Sequence, residues 1–394
     1  MQPQTKLLLP VPDAQSKAHC VVVADHIRNE IAGAGGRISF AEYMHLALYA
    51  PGLGYYSAGA TKFGAAGDFI TAPEVSPVFG RVLARQCAAI LTQVDNPSIL
   101  EFGAGSGRLA IDILRKLVEL NAVPDKYLIL EVSADLARRQ ASLLRDEIPD
   151  LIERVVWIDQ LPQDFAGVIV ANEVLDALPV ERFVRTADGI AQLCVAVEDG
   201  NFVAEEREAP EYLIAAVAAI ETDLQRPLPE GYVSEVCTAA PQWIESVAGA
   251  LSHGMVLLFD YGVSRRDYYA AERAGGWLRC HFRHHVHQDP YILPGIQDLT
   301  AWVDFSSVAT AAVDNGLEVA GFVPQARFLI GGGLDLELAN FSDLPVAAQI
   351  ELSGQVKLLT LPEEMGENFK CLGLSRGPIT RPGAFDSGDR TASL

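Results

Sequence analysis

Ser98-Ile99-Leu100-Glu101-Phe102-Gly103-Ala104-Gly105-Ser106-Gly107-Arg108 decides the fold of this 394-residue chain. A short, mostly apolar run enters a turn built on Gly103, Gly105 and Gly107. Beyond it Leu109, Ile113, Leu114, Leu117 and Leu120 recur at helical spacing. Strand, glycine turn and helix in succession open a nucleotide-binding α/β unit. Glycine reaches backbone angles that a Cβ forbids and lets a ligand approach the main chain. The helix N-terminus adds N–H groups without intrahelical partners. The dinucleotide fingerprint needs a third glycine where Arg108 stands, so an NAD(P) dehydrogenase conflicts with the sequence. No G-x-x-x-x-G-K-[ST] occurs, which excludes a P-loop. What remains is E-x-G-x-G-x-G, from Glu101 to Gly107.

Outward from this stretch, strands and helices alternate, as in a parallel sheet. Further strands are expected over 127–131, 155–158, 167–171, 317–322 and 369–375, and the apolar run 255–260 suits a central strand buried on both faces. Helices are expected over 16–32, 77–94 and 307–315. Another opens on a Ser39/Glu42 capping box and ends at Ala50-Pro51. Residues 182–207 read as a β-meander turning at Asp188-Gly189 and Asp199-Gly200, followed by helical stretches 211–224 and 240–251. The Gly-, Ala- and Tyr-rich stretch 51–72 is a long loop of the kind that often carries function. The expected division is a helical cap with a covering loop at 1–95, a core at 96–181 and 252–380, an inserted α+β region at 182–251, and a disordered tail at 381–394.

The charge balance, 30 basic against 51 acidic residues for a net −21, sets the chain against nucleic-acid phosphates. An acidic surface attracts cationic substrates, and it also serves solubility. No apolar run approaches the roughly 20 residues that cross a bilayer. The six cysteines form no C-x-x-C pair and fit a reducing compartment. The first sixteen residues contain no Arg and lack the features of a secretory or transit segment, so a cytoplasmic location is expected.

Open parallel sheets bind ligands beyond the carboxyl ends of their strands. Those ends carry Glu101-Phe102-Gly103, Glu131, Asn172-Glu173 and Asp260-Tyr261-Gly262. Glu131 stands where an acid accepts hydrogen bonds from ribose hydroxyls, or serves as the neighbour of a helix cap at Ser133. Trp157 to Asp159 either meets an adenine or contributes Trp157 to the core. Glu173 and Asp176 share one face if their turn is helical, and two carboxylates there would hold a guanidinium or ammonium group. The bland alternative is a solvated turn with one capping acid. His281, His284, His285 and His287 lack the closed donor set of a metal site, so no metal is assigned. No G-x-S-x-G elbow supports a serine hydrolase.

The Glu-led glycine loop resembles motif I of class I S-adenosylmethionine-dependent methyltransferases. From about residue 38 to 376 the chain resembles one family among them: the mitochondrial complex I assembly-factor arginine methyltransferases, also called mitochondrial dysfunction protein A, which have many bacterial relatives. The resemblance rests on Ile38-Ser39-Phe40-Ala41-Glu42-Tyr43-Met44, Gly54-Tyr55-Tyr56, Gly67-Asp68-Phe69-Ile70-Thr71-Ala72-Pro73-Glu74, the glycine loop, Asn172-Glu173 with Asp176-Ala177-Leu178-Pro179, Asp260-Tyr261-Gly262, and Asp298-Leu299-Thr300-Ala301 with Val303-Asp304-Phe305. Trp302 departs from it, standing where relatives carry His. The resemblance implies an α/β, Rossmann-like class I methyltransferase with a seven-stranded, mostly parallel sheet, an N-terminal helical cap and an inserted substrate region. It implies S-adenosylmethionine as methyl donor and a protein arginine as acceptor, in a respiratory-complex subunit for the mitochondrial members.

On this basis Gly103, Gly105 and Gly107 are expected around the methionine part and Glu131 at the ribose, with Glu101 and Ser133 also expected among the cofactor-binding residues. Asp159 is expected toward the adenine, with Thr71 and Pro73 on a loop closing over the cofactor. Asn172, Glu173 and Asp176 are the expected catalytic group. A homodimer fits the reading. The competing function is an assembly module that keeps the cofactor pocket and holds a partner protein with little or no turnover.

Overall fold

The computed structural model describes residues 9–57 and 71–394, so Gly67 to Ile70 of the expected covering loop lie outside the described residues. The chain divides into two compact units. One gathers residues 71–176 with Ala240–Arg265 and Val303–Leu394; the other gathers residues 9–57 with Ala177–Ala239 and Arg266–Trp302.

The first unit is built on a sheet of β1 (Ser98–Phe102), β2 (Tyr127–Leu130), β3 (Val155–Ile158), β4 (Phe165–Asn172), β5 (Leu251–Val263), β6 (Glu318–Pro324) and β7 (Phe369–Arg376). Their order across the sheet is β6-β7-β5-β4-β1-β2-β3, and the two-residue strand Val303–Asp304 adds to the end of β5. All neighbours are parallel except at β7, which runs antiparallel to both β5 and β6. The strand order reverses direction between β1 and β4, which makes the crevice above their carboxyl ends the expected ligand site. Register puts Phe102 level with Ala171, and Asn172 level with Phe259. The last residues of β1, β4 and the middle of β5 therefore lie side by side.

Burial explains the central strands. Val168, Ile169, Val170 and Ala171 of β4 and Met255 to Phe259 of β5 are covered on both faces, as continuous apolar runs in parallel sheets require. The helix Arg108–Glu119 turns Leu109, Ile113, Leu114 and Leu117 inward, and the helix Pro77–Leu91 turns Phe79, Val82, Leu83 and Ile90 inward. Phe79 meets the Phe259 ring edge-on at 5.2 Å. Full burial of side chains this large contributes about 1.5–3 kcal/mol each.

The second unit has a five-stranded antiparallel sheet of Arg37–Ser39, Glu181–Thr186, Gly189–Glu198, Asn201–Glu208 and Val233–Val236. Its hairpin at Asp199-Gly200 places both turn residues at positive φ, +47° and +79°, as a tight primed turn demands. The helix Phe40–Tyr49 starts as read from the sequence: the Ser39 side chain accepts from the Glu42 N–H at 3.1 Å. Val23, Ile27, Phe40, Tyr43, Met44, Val195, Leu278 and Leu299 form the core of this unit. His281 and His287 sit in a small sheet of Arg279–Phe282, His285–His287 and Asp298–Thr300. Burial lowers the pKa of His281 to about 4, so it packs as a neutral ring. Among the described residues no three His, Cys, Asp or Glu side chains are grouped to hold a metal ion. Trp302 stacks on Trp277 at 4.1 Å, with the Arg273 guanidinium 4.0 Å from the Trp277 ring centre.

The unit boundaries differ from the expected cuts. The helix Pro77–Leu91, expected in an N-terminal cap, packs on the parallel sheet through Phe79. The segment Arg266–Trp302, expected in the core, joins the antiparallel sheet unit. The expectation of a disordered tail at 381–394 is corrected outright. Phe385 is fully buried against Phe328, and a Cβ on Gly321 or Gly373 would collide with its ring. Downstream of it, the Phe322 N–H donates to Asp389 at 3.1 Å, and the Arg390 N–H donates to the Phe322 carbonyl at 2.7 Å. An aromatic anchor and ladder-like bonds hold what composition alone presents as a polar terminus.

Candidate active site

The glycine loop leaves β1 with Gly103, Gly105 and Gly107 at φ of +58°, +54° and +89°. These left-handed angles are why a run of side-chain-bearing residues cannot replace it. The three positions are not equivalent. A Cβ on Gly107 would lie 2.8 Å from Leu144, so this glycine lets the helix Ala134–Glu147 close on the loop. A Cβ on Gly103 would meet nothing nearer than Val174 at 3.8 Å, and Gly103 is exposed. Its missing side chain leaves the main chain accessible from the crevice. Ser106 donates through its hydroxyl to Glu74, one residue beyond Pro73. Thr71 precedes this helical turn, Ala72–Val75, without a capping bond of its own, and Pro73 is buried in it.

Glu101 lies beneath the loop, 2% exposed, where the Tyr127 hydroxyl donates to it at 2.7 Å. Burial pushes its carboxyl up to about 7; the charge of Glu131 adds to this and the Tyr127 bond opposes it. Glu131 follows β2. One of its oxygens accepts from the Ser133 N–H at 2.9 Å and the other from the Gln140 amide at 2.9 Å. Ser133 caps the helix Ala134–Glu147, so the capping and the site readings of this corner coexist. Trp157, on β3, donates its indole N–H to Gln140 at 2.9 Å. Asp159 lies exposed just past β3.

Beyond β4 the backbone turns sharply. Glu173 has φ +53°, an uncommon value for a residue with a side chain, and its N–H donates to the Phe259 carbonyl at 2.8 Å. The condition that would have put Glu173 and Asp176 on one helical face is therefore not met. Asp260 of β5 gathers the carboxylates instead. It accepts from the N–H groups of Leu175 at 2.9 Å and Asp176 at 3.2 Å with one oxygen, and from the Tyr261 N–H at 2.9 Å with the other. The Tyr261 hydroxyl donates to Asp176. Asp260 and Asp176 are buried, at 1% and 3% exposure, while Glu173 is half-buried. Burial, then the charges of Asp176 and Glu173, hold the Asp260 carboxyl well above the usual carboxylate range, against the pull of the two N–H bonds. Carboxylates crowded in a dry corner favour a cation that relieves their repulsion. Asn172 completes the group: its amide donates to Glu173 at 3.2 Å, and its buried carbonyl oxygen has no hydrogen-bond partner among the described residues.

Of the expected site residues, Glu101, the loop glycines, Asn172 and Glu173 stand at the ends of the adjacent strands β1 and β4, Glu131 and Ser133 follow β2, and Asp176 belongs to the carboxylate group around Asp260. Asp159 follows the outer strand β3, and the turn that carries Pro73 reaches the glycine loop through Glu74 and Ser106. Asp260, Glu74 and Gln140 were not named as site residues. The first two fall inside motifs already quoted, whereas a glutamine in mid-helix carries no sequence signal.

A Rossmann-like sheet, an open glycine loop at its switch point and an acid at the next strand's end make a nucleoside-binding site of an α/β enzyme. Comparison with known proteins specifies the family. Residues 82–323 match the model of an S-adenosyl-L-methionine-dependent methyltransferase family. The chain is 32% identical over 383 residues to the mitochondrial protein arginine methyltransferase NDUFAF7 of Danio rerio, covering 88% of this chain and 85% of that protein. The human NDUFAF7 is 30% identical over 373 residues, covering 86% and 80%. A crystal structure of a Burkholderia thailandensis protein bound to S-adenosyl-homocysteine superposes with a TM-score of 0.92 at 40% identity, covering 98% of this chain and all of that one. The chain belongs to this family of S-adenosylmethionine-dependent methyltransferases.

The residues present fit that cofactor. Gly103 leaves a cradle that a Cβ would narrow, and the Asn172 carbonyl oxygen faces no protein donor among the described residues. When bound, the cofactor supplies an electrophilic methyl group on a sulfonium.

Proposed function

We propose that this chain methylates an arginine side chain of a protein substrate, using the Glu173 corner to hold the guanidinium. The observation that carries the reading is the gathering of three carboxylates, Glu173, Asp176 and Asp260, at the ends of β4 and β5, beside the glycine loop after β1. The names of the NDUFAF7 relatives, protein arginine methyltransferases, support the same acceptor.

Arginine keeps its proton below about pH 12, so it arrives as a cation. The half-buried Glu173 carboxylate is the group that receives it, through paired N–H···O bonds that fix a planar guanidinium. Asn172 holds one Glu173 oxygen at 3.2 Å and limits its rotation. Asp260 acts on the backbone, pinning Leu175 and Asp176 so that the turn keeps Glu173 in place. Asp176, engaged by Tyr261, contributes negative field rather than contact. As the methyl joins one nitrogen, that nitrogen gives up a proton, and the Glu173 oxygen bonded to it is the nearest acceptor in this arrangement. Transfer of this kind depends on holding the reacting atoms about 3–3.5 Å apart more than on strong acid or base.

The test is transfer of labelled methyl from S-adenosylmethionine to proteins of a cell extract, followed by peptide mass spectrometry. Methylarginine that disappears with Glu173→Gln supports the proposal. Label on another residue type refutes it. Cofactor binding without turnover on any extract returns the chain to the role of an assembly factor.

A further inference from the structure

Gln140 is fully buried in the helix Ala134–Glu147, yet it is polar and makes three bonds to three different elements. Its amide nitrogen donates to the Gly105 carbonyl at 3.0 Å and to Glu131 at 2.9 Å, and its amide oxygen accepts from the Trp157 indole at 2.9 Å. The orientation of the amide is forced. Indole N–H is a donor only, while a carbonyl and a carboxylate are acceptors, so only one assignment of oxygen and nitrogen satisfies all three. We propose that Gln140 is a positioning residue for the nucleoside half of the cofactor: one side chain fixes the glycine loop, the acid after β2 and the indole of β3 in a single arrangement.

A carboxylate offers about four acceptor positions. The bonds from Ser133 and Gln140 hold one Glu131 oxygen each and so set the orientation of the carboxylate. The inference rests on Glu131 as the acceptor for ribose hydroxyls. Supporting contacts of this kind keep a binding constellation within a fraction of an ångström of its working geometry.

The experiment measures binding of S-adenosylhomocysteine and of 5′-methylthioadenosine, which lacks the amino-acid part, by calorimetry. Gln140→Met keeps length and removes all three bonds. It should raise the Kd of both ligands at least tenfold and by the same factor, because the damage is at the nucleoside end. Gln140→Glu keeps the acceptor for Trp157 but sets a second carboxylate against Glu131. Its loss at pH 8 should match or exceed that of the Met variant and shrink toward pH 5 as the new acid becomes a donor. Because Gln140 acts through Glu131, Glu131→Gln combined with either substitution should cost less than the sum of the single effects. A variant that stays folded and binds within twofold of wild type overturns the inference, as does strict additivity. If Gln140→Met does not fold, the Glu variant and its double-mutant cycle decide in the same way. Wild-type chain that binds neither ligand overturns the cofactor site itself. Wild-type binding with an unaffected Glu131→Gln variant overturns the ribose assignment alone.

Discussion

Gly103→Ala separates what the glycine loop does for folding from what it does for the ligand. At φ +58° an alanine occupies the left-handed region, at a cost of about 1–2 kcal/mol. Its methyl group adds no collision, since the nearest atom is Val174 Cγ2 at 3.8 Å. Stability should therefore fall by about 1–2 kcal/mol, a shift of roughly 2–8 °C in Tm for a unit of this size. The methyl enters the space through which a ligand approaches the main chain. Crowding by one methyl group costs typically about 1–3 kcal/mol, and each 1.4 kcal/mol is about tenfold in affinity. S-adenosylhomocysteine should bind at least tenfold more weakly. Gly167→Ala is the contrast: its Cβ would lie 1.9 Å from the Ser98 carbonyl oxygen, inside the pairing of β1 and β4. That variant should lose several kcal/mol of stability with or without ligand. Thermal melts and calorimetry on both variants give the comparison. Gly103→Ala that binds with wild-type affinity while losing this stability would show that the glycine serves the turn alone, and the reasoning about an open cradle would be wrong.

Glu173→Gln should lower methyl transfer by two orders of magnitude or more while leaving the Kd for S-adenosylhomocysteine within twofold; steady-state rates and calorimetry check this. Glu101 makes stability depend on pH. Unfolded, it gives up its proton near the ordinary value of 4.5, whereas folded it holds the proton to about pH 7. Between those values the folded chain binds the extra proton, so its stability is highest below the interval and falls as pH rises through it, by about 3 kcal/mol in all. Urea melts of Glu101→Gln against wild type across pH 4.5–7.5 should show the slope flattened in the variant; parallel curves would refute it. Phe385→Ala empties a fully buried aromatic site and should cost about 3–5 kcal/mol. Deleting the chain from residue 381 should cost at least as much, and a truncation that melts with wild type would contradict the anchoring role.

Local pattern made much of the fold legible. Strand β1 and its glycine turn, the Ser39 cap and the hairpin at Asp199-Gly200 each carry their signal within a few residues. What escaped was non-local. Nothing near Phe79 says that it will meet Phe259, and nothing near Phe385 says that Gly321 and Gly373 leave room for its ring. The helix Val346–Thr360 has too little periodic contrast to stand out, and the helix Gln325–Gly331 is only 7 residues long. At the candidate site, the polar strand end Asn172-Glu173 was readable, but not its arrangement. Spacing of three suggested a helical face, while the backbone adopts φ +53° at Glu173 and relies on Asp260, 84 residues beyond Asp176, to hold the turn. Gln140 was invisible for a related reason: an isolated glutamine in a charged helix looks like surface until β2, β3 and the glycine loop close around it.

The central claim is that the crevice delivers a methyl group to a cation held by Glu173. Purified chain incubated with isotopically labelled S-adenosylmethionine and extract proteins, then digested and sequenced by mass spectrometry, tests it most directly. The account predicts label on arginine nitrogens, lost with Glu173→Gln and retained with Glu173→Asp at a reduced rate. Label on lysine, on a carboxylate or on a hydroxyl would contradict it, as would arginine methylation that Glu173→Gln leaves untouched.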